Sequence, residues 1–263
     1  MLTSLLLIIS AMALFLLMAV YMLHISSTPC NVTAERRVHV CLTSIPPRLH
    51  NPWVAENLHV TRKLRAVAAL RLYVPWHLRN QPDTPIQVPP LPSSIDVLRC
   101  EDHGPLTKLV APLQDPQLSD DDIICIIDDD VVYIDCAFAH LVAAIDQEPQ
   151  SNCIYSFCSP SLAGFRGYGG LKRNWLPLLK VARPEACYFV DDDFIDLALE
   201  KACVEVRALK IHNATTEHCS QKVTETIKGP QFRDGHGLLW KRKQRMNGKI
   251  NCSSAMRTVE SLC

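Results

Sequence analysis

Hydrophobic positions divide this chain into one long uniform run and a series of shorter, punctuated ones. Residues Leu2 to Leu23 carry no formally charged side chain and are mostly Leu, Ile, Met, Ala and Val, a stretch long enough to cross a hydrocarbon core as one helix. A polar segment follows, and Val38-His39-Val40-Cys41-Leu42 then opens the body as a strand. Thr43-Ser44-Ile45-Pro46-Pro47-Arg48 closes that strand, because paired prolines cannot continue a ladder. From Trp53 to Tyr73 the apolar residues Leu58, Leu64, Val67, Ala68, Leu70 and Leu72 recur at roughly helical spacing, which predicts a helix. The segment Pro75 to Pro92 contains six prolines and reads as an irregular surface loop.

Downstream the runs alternate. Ile95-Asp96-Val97-Leu98 predicts a strand, and Gly104-Pro105-Leu106-Thr107-Lys108-Leu109 opens a helix running toward Leu113. Ile123-Ile124-Cys125-Ile126-Ile127 predicts a strand buried on both faces, the habit of sheets covered by helices on each side. Phe138 to Ile145 reads as a helix, Cys153 to Phe157 as a strand, Gly164 to Gly170 as a glycine-rich loop, and Leu197 to Cys203 as the continuation of a helix. This alternation specifies an α/β sandwich. No internal repeat is visible.

The apolar run at Ile123 drives straight into Asp128-Asp129-Asp130. In open α/β sheets ligands bind at the carboxyl ends of the strands, and three like charges there call for a positive partner, for which a divalent cation bound to phosphate is the economical choice. A solvated acidic turn is the plainer alternative. A second cluster, Asp191-Asp192-Asp193, precedes an apolar helical pattern, and a carboxylate held apart from the metal could take a proton from a hydroxyl. The competing reading is helix N-capping. Arg48, restricted by its prolines, and Lys108, at a helix start, are suited to phosphate oxygens, although a lone lysine is commonly just solvated. Gly167-Tyr168-Gly169-Gly170 would let an acceptor approach the backbone, or would be a flexible hairpin.

Composition narrows the field. The chain has 263 residues with Lys plus Arg equal to Asp plus Glu at 27 each, so no global basic field points to nucleic acid. All twelve cysteines lie downstream of the apolar run, compatible with disulfides in an oxidising lumen, and no CxxC pair suggests structural zinc. Cys41 and Cys125, inside apolar runs, read as buried thiols. The sequons at Asn31, Asn213 and Asn251 also suit a lumenal body. Arg36 and Arg37 after the span favour the cytosolic orientation instead. The expected organisation is a membrane anchor over 1–24, a stem over 25–37 and one domain over 38–263.

Taken in order, Thr43-Ser44-Ile45-Pro46-Pro47-Arg48-Leu49, Gly104-Pro105-Leu106-Thr107-Lys108-Leu109, Ile127-Asp128-Asp129-Asp130-Val131, Gly167-Tyr168-Gly169-Gly170 and Asp192-Asp193 resemble a group of small glycosyltransferase-like proteins. That resemblance implies a GT-A-like nucleotide-binding mixed sheet flanked by helices, here behind one N-terminal transmembrane helix. It implies an Asp-x-Asp motif in which Asp128 and Asp130 hold Mn²⁺ or Mg²⁺ against a nucleotide-sugar diphosphate, with Asp129 near the ribose or sugar. Asp193 would be the base that deprotonates the acceptor, supported by Asp192, and a late histidine would join the metal, His236 being preferred over His212 and His218. Thr43, Arg48 and Lys108 would contact the donor. The expected partners are a nucleotide-sugar donor, a glycan, protein or lipid acceptor and a membrane, with no nucleic acid. Two other classes stay open: a metal-dependent nucleotidyl-transfer or phosphohydrolase enzyme, since clustered aspartates serve there equally well, and a non-catalytic membrane protein that binds glycans.

Overall fold

A computed structural model describes residues 36–129, 131–133, 136–157, 167–209, 224–226 and 251–262. Their centre is a seven-stranded sheet. Its strands are β1 (Val38–Thr43), β2 (Val67–Pro75), β5 (Ile95–Cys100), β6 (Ile123–Ile126), β8 (Cys153–Ser156), β9 (Tyr168–Leu171) and β10 (Glu205–Ala208), in the spatial order β10-β8-β9-β6-β1-β2-β5. All neighbours are parallel except β9, which runs antiparallel to both β6 and β8. Two small antiparallel pairs lie outside the sheet, β3 (His77–Leu78) with β4 (Gln81–Pro85), and β7 (Val131–Tyr133) with β11 (Thr224–Thr226).

Apolar side chains line both faces, so the central strands are sequence-continuous rather than alternating. One face packs Val40, Leu42, Leu70 and Cys125 against Leu58 of α2 (Pro52–Arg62) and Phe138 and Leu141 of α4 (Ala137–Gln147). The other packs Cys41, Tyr73, Ile124 and Ile126 against Leu109 of α3 (Thr107–Gln114) and Ile195 and Leu199 of α6 (Asp191–Lys201). The result is the mixed α/β sandwich with helices on both sides that the alternation predicts. Short helices α1 (Pro46–Leu49) and α5 (Lys172–Trp175) follow β1 and β9.

Three predicted elements differ. The helix expected over Trp53 to Tyr73 ends at Arg62, and Val67–Pro75 is strand β2, lying between β1 and β5. A left-handed Ala66 (φ 66°) makes the turn, and the run from Leu70 to Val74 is buried on both faces, so it has no period-2 signature to set against the helical one. The proline-rich loop contains the exposed β3–β4 hairpin. The end of the glycine-rich segment is the central strand β9 rather than a loop. A Cβ on Gly169 would come within 2.3 Å of Leu141 Cδ2 and one on Gly170 within 2.5 Å of Ile154 Cδ1, so these glycines admit close packing against the sheet's neighbours, not an acceptor.

Cys187 and Cys252, both fully buried, form a disulfide across 65 residues that ties a short helix at 251–256 to the segment before α6. Cys203 is disulfide-bonded as well, while Cys41 and Cys125 are buried thiols. Among the described residues no helix is long and apolar enough to cross a membrane; the predicted anchor over 1–24, most of the stem, and the sequons at Asn31 and Asn213 lie outside them.

Candidate active site

The carboxyl end of β6 is where the charged groups gather, because the chain leaves the apolar strand there and successive side chains turn to opposite faces of the sheet. Ile127 still donates its N–H to Cys41 O at 3.0 Å, which extends the strand's alignment to the brink of the acidic run. Asp128 then goes one way and Asp129 the other.

Asp129 is buried at 3 % exposure and held by two groups from the β1–α1 turn. Arg48 forms an ion pair with its carboxylate and the Ser44 hydroxyl donates a hydrogen bond to it. Asn57, a buried amide on α2, donates to the backbone carbonyls of Asp129 and Val131 at 3.0 and 3.1 Å, so α2 ties down the backbone at both of these residues. The Ile45-Pro46-Pro47-Arg48 turn thus serves as an anchor for the acidic loop: Pro46 starts a four-residue helix that points Arg48 inward. Thr43 donates its hydroxyl to Tyr73 O at 2.8 Å, tying β1 to β2 at the same edge.

Asp128 meets Lys108 instead. The Lys108 ammonium is only 3 % exposed and lies 2.5 Å from Asp128 Oδ1 and 2.6 Å from Asp191 Oδ2, bridging strand β6 and helix α6. Burial alone would drive its proton off, but the carboxylates of Asp128, Asp191 and Asp192 outweigh that and hold it charged, well above the usual lysine range. The preceding turn makes this reach possible. Gly104 adopts φ +61°, donates its N–H to Asp102 Oδ1 at 2.7 Å, and lets Leu106 and Thr107 enter α3 with Lys108 facing the cluster.

Helix α6 begins with all three aspartates of the second cluster in its first turn. Asp191 behaves as the helix-start reading predicts. Burial raises its pKa, yet the Lys108 charge, its hydrogen bond and the backbone N–H groups of the turn prevail and keep the carboxyl below 3.8. Asp192 is different: burial first, then the negative charge of Asp191, push its pKa from 3.8 up to about 7, with Lys108 only partly opposing. Its Oδ1 is buried without a hydrogen-bond partner. One turn further on, Asp196 accepts a 2.7 Å hydrogen bond from the Tyr168 hydroxyl, which fixes α6 to β9.

The structure therefore brings Lys108, Asp128, Asp191 and Asp192 together and turns Asp129 and Arg48 toward each other. Arg48 and Asp129, read from sequence as donor contacts, each have an internal partner, as does Thr43. Asp193 shares the first turn of α6 with Asp192, while Asp130 and His236 lie outside the described residues, as do His212 and His218. Asn57 carries weight that the sequence gave it no role for, although it had a visible signal, a polar residue one place before Leu58 on the buried stripe of a helix; Ser44, at the turn after the first strand, and Asp191, at the helix start, hold Asp129 and Lys108 respectively. Among the described residues no three acidic, histidine or cysteine side chains are disposed to hold a metal ion. Hard carboxylate oxygens such as those of Asp128 are nevertheless of the kind that suits Mg²⁺ or Mn²⁺.

No protein-family model matches the chain, nor does any curated protein. Among solved structures it is similar to CMP:2-keto-3-deoxy-manno-octonic acid synthetase complexed with CTP, at 9 % identity and a TM-score of 0.44, over 66 % of this chain and 90 % of that one. It is also similar to 4-diphosphocytidyl-2C-methyl-D-erythritol synthase, at 11 % identity and a TM-score of 0.40, over 71 % of this chain and 96 % of that one. At these identities and scores neither assigns a substrate or a reaction to this chain.

Proposed function

We propose that the chain is a membrane-anchored, metal-dependent glycosyltransferase that moves a sugar from a nucleotide donor to a hydroxyl of a glycan, protein or lipid. The observation that carries this reading is the convergence of Asp128, Lys108 and the Asp191–Asp193 turn at the carboxyl edge of the sheet, where α/β folds bind their ligands. Asp128 and Asp130 would hold Mn²⁺ or Mg²⁺, which when bound supplies positive charge against a departing diphosphate. Lys108 keeps Asp128 and Asp191 at a fixed separation and brings a permanent positive charge to the same place. Asp192, with a pKa of about 7, is poised to accept the proton of an acceptor hydroxyl near neutral pH. The oxygen freed of that proton forms the new bond to the sugar's anomeric carbon, while the bond to the diphosphate breaks and the nucleoside diphosphate departs. The sequence resemblance favours Asp193 for the base; burial and charge favour its neighbour Asp192.

Full-length protein in detergent, supplied with a panel of nucleotide sugars with and without Mn²⁺, tests the assignment. Release of nucleoside diphosphate that needs Mn²⁺ and falls at least a hundredfold in Asp130→Ala and in Asp192→Asn is expected. Metal-independent release that both variants retain refutes the reading. Release of pyrophosphate from nucleoside triphosphates points to nucleotidyl transfer instead, and absence of any nucleotide-dependent heat in calorimetric titration points to a binding protein. The Cys187–Cys252 disulfide supports a lumenal body, in an ER or Golgi compartment; a gel-mobility shift after glycosidase treatment is the expected result, and its absence favours the cytosolic orientation.

A further inference from the structure

Two aromatic rings are more than half exposed among the described residues, Trp76 at 57 % and Phe189 at 53 %, and both lie at the carboxyl edge of the sheet that carries the acidic site. Trp76 follows the last residue of β2 and donates its N–H to Cys100 O at the end of β5. Arg99 covers its ring at 5.5 Å. Phe189 stands two residues before Asp191, about 7 Å of chain at most, so a ligand resting on its ring is within reach of the first turn of α6.

The support under these rings is built rather than loose. Phe189 meets Tyr188 edge to face at 4.8 Å. The Tyr188 ring in turn carries the guanidinium groups of Arg79, from the β3–β4 turn, at 4.8 Å, and of Arg183 at 4.7 Å. Arg183 also donates to Tyr188 O at 2.6 Å and to His103 O at 2.9 Å, and Arg79 pairs with Glu185 at 2.9 Å. Gly104 seals the back: a Cβ there would come within 2.8 Å of Tyr188 O. Exposed aromatic area held so firmly beside a reactive site marks a binding surface more than incidental exposure. Its charges come close to cancelling, since Arg79, Arg99 and Arg183 are accompanied by Glu101, Asp102 and Glu185, which disfavours a sulfated or phosphorylated ligand and suits an uncharged one with an apolar face.

We propose that Trp76 and Phe189, the latter backed by the buried Tyr188 ring, form a stacking platform for a neutral pyranose ring, so that the acceptor is a glycan rather than a protein or lipid hydroxyl. This rests on the transferase reading above for its role, but the binding itself does not depend on it.

The test is direct binding of methyl hexopyranosides and neutral disaccharides to the full-length protein in detergent, read by saturation-transfer NMR, for wild type, Phe189→Ala and Trp76→Ala. Both substitutions are at exposed positions, and melting curves check that folding is kept. Saturable millimolar binding by the wild type that weakens at least fivefold in each variant is expected. Failure of every neutral saccharide to bind overturns the proposal, as does binding that neither variant weakens or binding of anionic saccharides alone. Donor turnover by the wild type is measured separately: its absence alongside platform-dependent saccharide binding counts against the transferase reading and leaves the platform standing.

Discussion

Asp192→Asn removes a charge that the fold holds in an unfavourable place, and the consequence for stability has a definite sign and pH window. In the unfolded chain Asp192 titrates near 3.8, whereas burial and the adjacent Asp191 carboxylate raise it to about 7 in the folded protein. The unfolded state therefore sheds the proton first. Between these two values every rise in pH favours unfolding, and the penalty is complete once the pH exceeds the folded value. Three units at roughly 1.4 kcal/mol each give about 4 kcal/mol above pH 8, falling below about 2 kcal/mol at pH 5. Water reaching the partly exposed side chain relieves some of this, so a gain of about 2 to 4 kcal/mol for the asparagine variant at pH 8 is expected. Urea unfolding in the presence of a chelator, followed through the fully buried Trp175, measures it at pH 5, 6, 7 and 8. The variant should gain stability over wild type as the pH climbs, while losing transfer activity about 10²-fold or more. A stability difference that is flat with pH, or a variant less stable at pH 8 than the wild type, refutes the placement of Asp192 in a desolvated, like-charged site.

Other substitutions probe the supports of that site. Lys108→Met strips the counter-charge from Asp128 and Asp191 and should cost about 3 kcal/mol or more in urea denaturation at pH 7; a loss under about 1 kcal/mol contradicts the buried bridge. Gly104→Ala puts a side chain at φ +61° and against Tyr188 O, so a loss of at least about 1 kcal/mol is expected from thermal melts, together with weaker saccharide binding if Tyr188 shifts. Reduction of the Cys187–Cys252 bond, or Cys252→Ser, opens a constraint spanning 65 residues and should lower stability by about 2 to 5 kcal/mol; unchanged melting in reductant argues that the bond is absent in solution.

What the sequence disclosed and what it hid follow from the same burial. Ile123 to Ile127 announced itself as a strand because a short, wholly apolar run bounded by polar residues fits a doubly covered strand, and Gly104 to Leu109 announced a helix through its turn chemistry. The strand β2 was hidden because burial on both faces erases alternation, and Leu58, Leu64, Leu70 and Leu72 then mimic a helix across the real boundary at Ala66. Gly169 and Gly170 misled for the opposite reason. Glycine signals freedom when it is exposed, but here the missing side chains make room for Leu141 and Ile154. In the site, residue types were legible and pairings were not. Lys108 and Asp191 are 83 positions apart, and only the packing of α3 beside α6 makes them neighbours.

The two triple-aspartate clusters solve the same electrostatic problem differently, and the difference bears on chemistry. At the strand end, period-2 geometry separates the charges: Asp129 is neutralised on one side by Arg48 and Ser44, Asp128 on the other by Lys108. At the helix start no such separation is available, since consecutive residues of a first turn share one end of the helix. Asp191 takes the nearest cation and the backbone N–H groups, which is the best arrangement for keeping a carboxylate ionised. Asp192 is left with the burial and the repulsion but without an equivalent donor. A fold selected for stability alone would place Asn or Ser there at no structural loss, because the N-terminal turn is already satisfied by Asp191. An acid whose proton is held near neutral pH suits a step in which a proton is taken up and given back, which is the role that the proposed transfer to a hydroxyl would give Asp192.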